Sequence, residues 1–300
     1  MYQAQRISRS EFVPIRNLSY HVRVWGQPGA GKVPLVMVHG WMDVAASYQF
    51  VVDALAQDHY IIAPDWRGYG QTETPDVDNF WFADYLADLD FLLDHYAGDQ
   101  PIHLVGHSLG GNVAMAYGGV RPERIRRLVN LEGFGLPASQ PDQAPRRLVQ
   151  WLDELKELHR GELNLKAYSS MGGVTRRLMK TNPRLSQDKA DWLAQHWAHE
   201  NTQGQWEILG HPAHKIISAH LYQVEETLAL YRRLTMPVLA VEAADNSLET
   251  FWSGRYTLAE YHKRLQSIPQ VEIATIPNAG HMLHHDQPEL LAAMIERFLA

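Results

Sequence analysis

Residues 105–111 read Val-Gly-His-Ser-Leu-Gly-Gly (VGHSLGG), a serine with a glycine two positions to either side. A short apolar run, Ile102 to Val105, precedes it, and the helix-patterned NVAMAYGGV follows. Ser108 is therefore predicted to sit at a strand-to-helix turn. So sharp a turn crowds the flanking side chains, and Gly106 and Gly110 relieve the crowding by having no Cβ. The serine hydroxyl is then lifted clear of the carboxyl edge of a sheet, and the amides after it lie at a helix N-terminus, where an oxyanion can be held. Alone, G-x-S-x-G is a common pattern; the strand before it and the helix after it carry the catalytic expectation.

The same alternation runs outward in both directions. Strands are expected at Tyr20 to Trp25, Val33 to Val38, Tyr60 to Ala63, Ile102 to Val105, Arg127 to Leu131, Val238 to Val241 and Val271 to Ile276. Helices are expected near Ser47 to Gln57, Asn79 to Tyr96, Leu109 to Val120, Leu258 to Gln266 and Pro288 to Phe298. Near-continuous apolar strands separated by helices predict an α/β fold, a mostly parallel, doubly wound sheet. From about Phe134 to Leu234 the alternation stops. RRLVQWLDELKELHR (146–160), KADWLAQHWAHENTQ (189–203) and HKIISAHLYQVEETLALYRRL (214–234) are helix-patterned, with no convincing strand among them. Such a length is too great for a loop. It reads as a helical cap over residues 134–234, inserted before the penultimate strand between two parts of one core, 1–133 and 235–300.

Composition narrows the function. Three hundred residues at 45% hydrophobic content can bury a sizeable core. A formal charge of −7, with no run of Lys and Arg longer than two, argues against a nucleic-acid or anionic-membrane surface. The chain has no cysteine, which removes disulfide and thiolate chemistry. No apolar stretch approaches a spanning helix and the first residues lack a secretory h-region, so the expected location is the cytoplasm.

A serine hydroxyl is a poor nucleophile without a base. Of the sixteen histidines, His281 in NAGH is best placed, in a loop after the last strand and before the C-terminal helix. His284 and His285 lie nearer the helix start and read as solvated or capping residues. His39 reads as structural, and His107 as packing or a secondary contact.

Four segments together resemble the α/β-hydrolase superfamily: HGW at 39–41, DWRGYGQT at 65–72, GHSLGG at 106–111 and NAGHMLHHDQPE at 278–289. Within it, HGWMDVAASY (39–48) and the long cap look like the serine hydrolase-like enzymes. The resemblance implies a Ser–His–acid triad under a cap, with backbone N–H groups of Trp41 and Leu109 donating to the oxyanion. It also implies an ion pair between Asp65 and Arg67. The acid departs from the pattern: in MPVLAVEAADNSLE (236–249) the customary aspartate position falls on Asn246, which cannot carry the charge. A turn shorter by one residue would supply Asp245. Glu132 in LVNLEGFG (128–135) would supply it from the preceding strand, an arrangement that resembles some haloalkane dehalogenases. Glu132 is the first choice and Asp245 the second.

Dehalogenases and epoxide hydrolases carry aspartate at the nucleophile position, so Ser108 points to acyl transfer instead. No cofactor or metal is expected; the cap pairs His196 with His199 and His211 with His214 lack a third ligand at useful spacing. Trp151, Trp192, Trp197 and Trp206 supply cap aromatics, of which at most one or two should face the site, and these favour an apolar group. The leading expectation is a carboxylesterase-type enzyme for small, largely apolar esters. A lactone, thioester or carbon–carbon bond beside a ketone, or a low-turnover receptor on the same fold, are the alternatives.

Overall fold

The computed structural model describes residues 2–74 and 76–300. The chain opens with a hairpin of β1 (Arg9–Ile15) and β2 (Leu18–Trp25), then continues through β3 (Leu35–Val38), α1 (Gln49–Ala54), β4 (Ile61–Pro64), α2 (Phe82–Ala97), β5 (Ile102–His107), α3 (Leu109–Val120) and β6 (Ile125–Leu131). The cap follows, with α4 (Ala144–His159), β7 (Ala167–Tyr168), α5 (Met171–Thr181), α6 (Gln187–Trp197), β8 (Ala198–Glu200), β9 (Trp206–Ile208) and α7 (Val224–Tyr231). The core resumes with β10 (Val238–Ala243), α8 (Leu248–Trp252), α9 (Leu258–Leu265), β11 (Val271–Ile276), α10 (Leu283–Asp286) and α11 (Pro288–Leu299).

Eight strands form one sheet in the order β1-β2-β4-β3-β5-β6-β10-β11. The pairs from β4 to β11 are parallel, and β2 is antiparallel to both β1 and β4. This is the α/β-hydrolase architecture, and β3, β4, β5 and β10 are buried along their whole length, as strands covered on both faces must be. One apolar cluster lies on each face of the sheet, gathered round residues such as Leu104 and Val113 on one side and Val105 and Leu291 on the other.

Two expectations about the elements are corrected. Strand β1 is an addition: Arg9, Glu11 and Pro14 mask its alternation, and proline is tolerated because β1 is an edge strand. The cap is not purely helical either, since β7, β9 and β8 form a three-stranded antiparallel sheet. Strands of two or three residues are too short for a period of two to register in sequence.

The cap is held by a third apolar cluster, in which Val44, Ala46 and Phe50 of the core meet Val174, Leu193 and Trp197 of the cap. Arg23 Nη2 on β2 donates to His196 Nδ1 at 2.9 Å, and the Gly70 N–H to the Leu209 carbonyl at 3.0 Å.

The expected Asp65–Arg67 ion pair does not form. Asp65 instead turns inward, where Oδ2 meets His21 Nδ1 at 2.7 Å and the carboxylate accepts the N–H groups of Ala45 and Gln71. Arg67 points to α2, where Nε and Nη2 reach the two oxygens of buried Asp88 at 2.6 and 2.7 Å. The planar guanidinium fork matches a carboxylate set square to it, which Asp65, two residues away on the same loop, cannot offer.

Candidate active site

At the end of β5 the backbone passes through Ser108 at φ +52° and ψ −113°, in the left-handed region, before α3 begins. A Cβ at Gly106 would come 2.3 Å from the Gly110 carbonyl oxygen, and one at Gly110 would come 2.2 Å from that of Val38. The glycines are thus required by close backbone approach at both ends of the turn. Gly110→Ala is expected to cost about 3 kcal/mol or more through forced backbone shifts. Gly29→Ala, whose Cβ would meet only the Lys32 side chain at ordinary contact distance, should leave the melting temperature nearly unchanged. Thermal denaturation of the two variants checks this.

His281 Nε2 lies 3.0 Å from Ser108 Oγ, and its Nδ1 lies 3.2 Å from Glu132 Oε2. Glu132 follows β6 with a left-handed backbone of its own, at φ +55°, and is buried. Its Oε1 accepts the Ala243 N–H at 2.7 Å, so the strand pairing of β6 with β10 holds the carboxylate in place. Asp245, the second choice from sequence, does not join the group. Its carboxylate accepts from Arg184 Nη2 at 2.8 Å and its side chain is 71% exposed. Asn246 Oδ1 accepts the Leu248 N–H and so serves the start of α8.

One residue in this site escaped sequence reasoning. Ser247 Oγ lies 3.1 Å from His281 Nδ1 and 3.2 Å from Glu132 Oε2, bridging the pair. It stands next to Asn246, and an uncharged serine there carries no charge or motif that marks it in sequence.

The histidines behind the nucleophile form a second layer. His107 Nε2 donates to the His281 carbonyl at 2.7 Å, a direct support for the imidazole that faces Ser108. Burial, reinforced by His284 and His281 beside it, holds His107 well below the ordinary histidine range. His284 and His285 are neither solvated nor capping. Both are buried, because α10 packs against α1 and turns them inward. The ring of His284 stands 4.3 Å from His107 and 4.2 Å from His285, centre to centre. Buried Asp43 completes the layer; burial raises its carboxyl, and His284 and His285 more than offset this, leaving it below the usual range.

Among the described residues, Asp43, His107 and His284 are the group with the donor types of a metal centre, their ligand atoms lying within 4.8 Å of one another. His284 Nε2 and Asp43 Oδ2 are 3.8 Å apart, a wider spacing than a hydrogen bond. In the cap, His196 meets Arg23, and His211 Nδ1 accepts the Ala213 N–H.

A Cβ at Gly40 would stand 3.1 Å from the Ser108 Cβ, so the loop carrying Trp41 lies against the nucleophile. The Trp41 side chain is exposed and donates through Nε1 to the His214 carbonyl at 2.9 Å. Leu109 opens α3, where the first N–H groups have no partner within the helix. Above them is a cavity of about 890 Å³ between core and cap, whose wall includes Ser108, His281, Trp41, Leu178, Trp197 and Phe251. Of the four cap tryptophans only Trp197 lines it. Trp192 and Trp206 pack on the cluster that joins cap to core.

Histidines held low by burial, His103, His196 and His214 among them, give the fold a pH dependence. Burial lowers His103 and His196 to about 4, with Arg126 and Arg23 respectively adding repulsion, and lowers His214, stacked between Tyr69 and Phe80, to about 3. In the unfolded chain each titrates near 6.5, so between about 6.5 and 4 the unfolded state binds more protons. Stability is then fully present above about pH 6.5 and is lost as the pH falls toward 3–4. The melting temperature should drop by about 5 °C or more between pH 7 and 5, and less in His214→Phe. An unchanged melting temperature over that interval would contradict the assignment.

With this geometry in view, comparison with known proteins is specific at the level of the family. The alpha/beta hydrolase fold family model matches residues 33–288, and the chain belongs to that family. A serine hydrolase-like protein of Danio rerio is 25% identical over 300 residues, covering 98% of this chain and 89% of that relative. A cis-3-alkyl-4-alkyloxetan-2-one decarboxylase of Shewanella oneidensis is 38% identical over 117 residues, 38% of this chain and 36% of the relative. The thioesterase domain from the curacin biosynthetic pathway superposes with a TM-score of 0.83 over 97% of this chain and 99% of its own, at 22% identity. Family membership supports an enzyme of the hydrolase type. Among the described residues no helix is long and apolar enough to cross a membrane.

Proposed function

We propose that this protein is a serine hydrolase that cleaves small, largely apolar carboxylic esters through an acyl-enzyme on Ser108. The observation that carries the proposal is the unbroken line of contacts Ser108 Oγ, His281 Nε2, His281 Nδ1, Glu132 Oε2, with steps of 3.0 and 3.2 Å either side of the imidazole. His281 takes the hydroxyl proton as Ser108 Oγ attacks the carbonyl carbon, and the tetrahedral oxyanion is held by the N–H groups of Trp41 and Leu109. Collapse expels the alcohol, which takes the proton from His281. Water, deprotonated by the same imidazole, then attacks the acyl-enzyme and releases the acid and free Ser108. Glu132 holds the imidazole in the tautomer that presents Nε2 to the serine and offsets the imidazolium charge, and Ser247 steadies both. Cytoplasm is the setting this reading assumes.

A lactone or thioester carbonyl would meet the same atoms in the same order. The Shewanella relative's name concerns an oxetan-2-one, which keeps the lactone in view as a second substrate class. Incubation with a fluorophosphonate probe and a series of p-nitrophenyl esters tests the main proposal. Labelling together with steady turnover supports it, whereas an unlabelled protein would reject it.

A further inference from the structure

A cavity for small neutral esters needs no charge, yet five cationic side chains stand on the wall of the one beside Ser108: Lys166, Arg176, Arg177, Lys180 and Lys215. Asp43 is the one acid that shares this lining among the described residues, and it is buried at the base. The chain as a whole has the opposite sign, at −7, so composition alone does not put cations there.

The ion pairs of the cap go elsewhere, joining Lys156 to Asp153, Arg160 to Glu162, Arg184 to Asp245 and Arg232 to Glu225. Among the described residues, none links the five cations to a carboxylate within 4.0 Å. Two of the five donate only to neutral oxygens: Arg177 Nη1 to Thr181 Oγ1 at 2.8 Å and Lys215 Nζ to the Asn164 carbonyl at 2.7 Å. On α5, Arg176 and Lys180 are four residues apart, a spacing at which like charges weaken a helix. Buried Val174 and Leu178 anchor α5, and Leu178 shares the cavity wall with exposed Arg176, Arg177 and Lys180. The same wall also carries apolar Leu165, Leu178 and Trp197.

We infer that the cationic wall binds an anionic group, a carboxylate or a phosphate, on a substrate whose scissile carbonyl sits at Ser108. The substrate class is then an ester or thioester with an apolar middle and an anionic end. This rests on the serine hydrolase reading of Ser108. A cleft lined by one sign of charge concentrates ligands of the other, and the guanidinium forks of Arg176 and Arg177 suit two-oxygen anions.

Two matched pairs test it and separate the two ends of the substrate. p-Nitrophenyl hexanoate is compared with the mono-p-nitrophenyl ester of adipate, which puts a carboxylate on the acyl side. Butanoyl-N-acetylcysteamine is compared with butanoyl-coenzyme A, which puts phosphates on the leaving group. In at least one pair the anionic member should be favoured about tenfold or more in kcat/KM at low salt, with the difference in KM. The preference should shrink toward parity at about 0.5 M salt, where the Debye length is about 4 Å. The double reversal Arg176→Glu with Lys180→Glu should invert it, while Arg160→Glu, which breaks an exposed pair, should keep it.

Arg176 and Lys180 are exposed, so the reversal is compatible with folding, and the salt series on the unmodified protein is an independent test. Neutral members equal to or better than anionic ones in both pairs would overturn the inference, as would a preference that ignores both salt and reversal. Calorimetry of adipate and coenzyme A with Ser108→Ala reads the same cations without turnover. Salt-sensitive binding there, alongside a wild-type protein that no fluorophosphonate labels, would reject the hydrolase reading and keep the anion site; no binding to either would reject the site.

Discussion

Ser108→Ala is expected to abolish fluorophosphonate labelling and to lower ester turnover by about 10⁴- to 10⁶-fold, with KM little changed. The hydroxyl removed is the atom 3.0 Å from His281 Nε2, and among the described residues it is the one hydroxyl within hydrogen-bond distance of that nitrogen. Alanine fits the left-handed turn no worse than serine does, so the loss should appear in chemistry and not in folding. Thermal denaturation beside the kinetics separates the two. Turnover within tenfold of wild type would mean that another group attacks the carbonyl, and the line from Ser108 to Glu132 would lose its assigned role.

The second large effect distinguishes two carboxylates. Glu132→Gln should lower kcat by about 10³- to 10⁴-fold, the scale seen when a triad acid becomes an amide. Glutamine keeps an oxygen for the Ala243 N–H but presents an amide where Oε2 meets His281 Nδ1 and Ser247 Oγ. The imidazole then has no charge to offset its protonated form and loses the partner that selects its tautomer. Asp245→Asn should leave kcat within about twofold, since Asp245 is exposed and engaged with Arg184. The reverse ranking of the two variants would return the acid to Asp245 and require a different arrangement of the loop after β10.

Much of the fold was legible because its signals are local. Leu109 to Val120 forms a helix over the bounds the pattern suggests, and the apolar runs at 102–105, 238–241 and 271–276 all lie within strands. What was missed is short or masked: the two- and three-residue cap strands, and β1 behind its charges and proline. His284 and His285 show a different limit. Two adjacent histidines before a helix look solvent-facing in sequence, and tertiary packing of α10 against α1 and His107 buries them.

The sequence by itself determined the turn at Ser108, because two glycines at its ends answer a steric demand set within a few residues of chain. It likewise determined His281 as the base candidate, through its place between the last strand and the last helix. Tertiary structure decided which carboxylate faces His281. Residues 132 and 281 are brought together by the pairing of β6 with β10, and the bond from the Ala243 N–H aims the Glu132 carboxylate, whereas Asp245 turns outward to Arg184. The cationic wall was decided the same way, since Lys166, the α5 cations and Lys215 share no motif and meet only where the cap folds over the cavity. Side chains that must converge from distant segments leave no spacing to read, because the distances between them are set by packing and not by the chain that joins them.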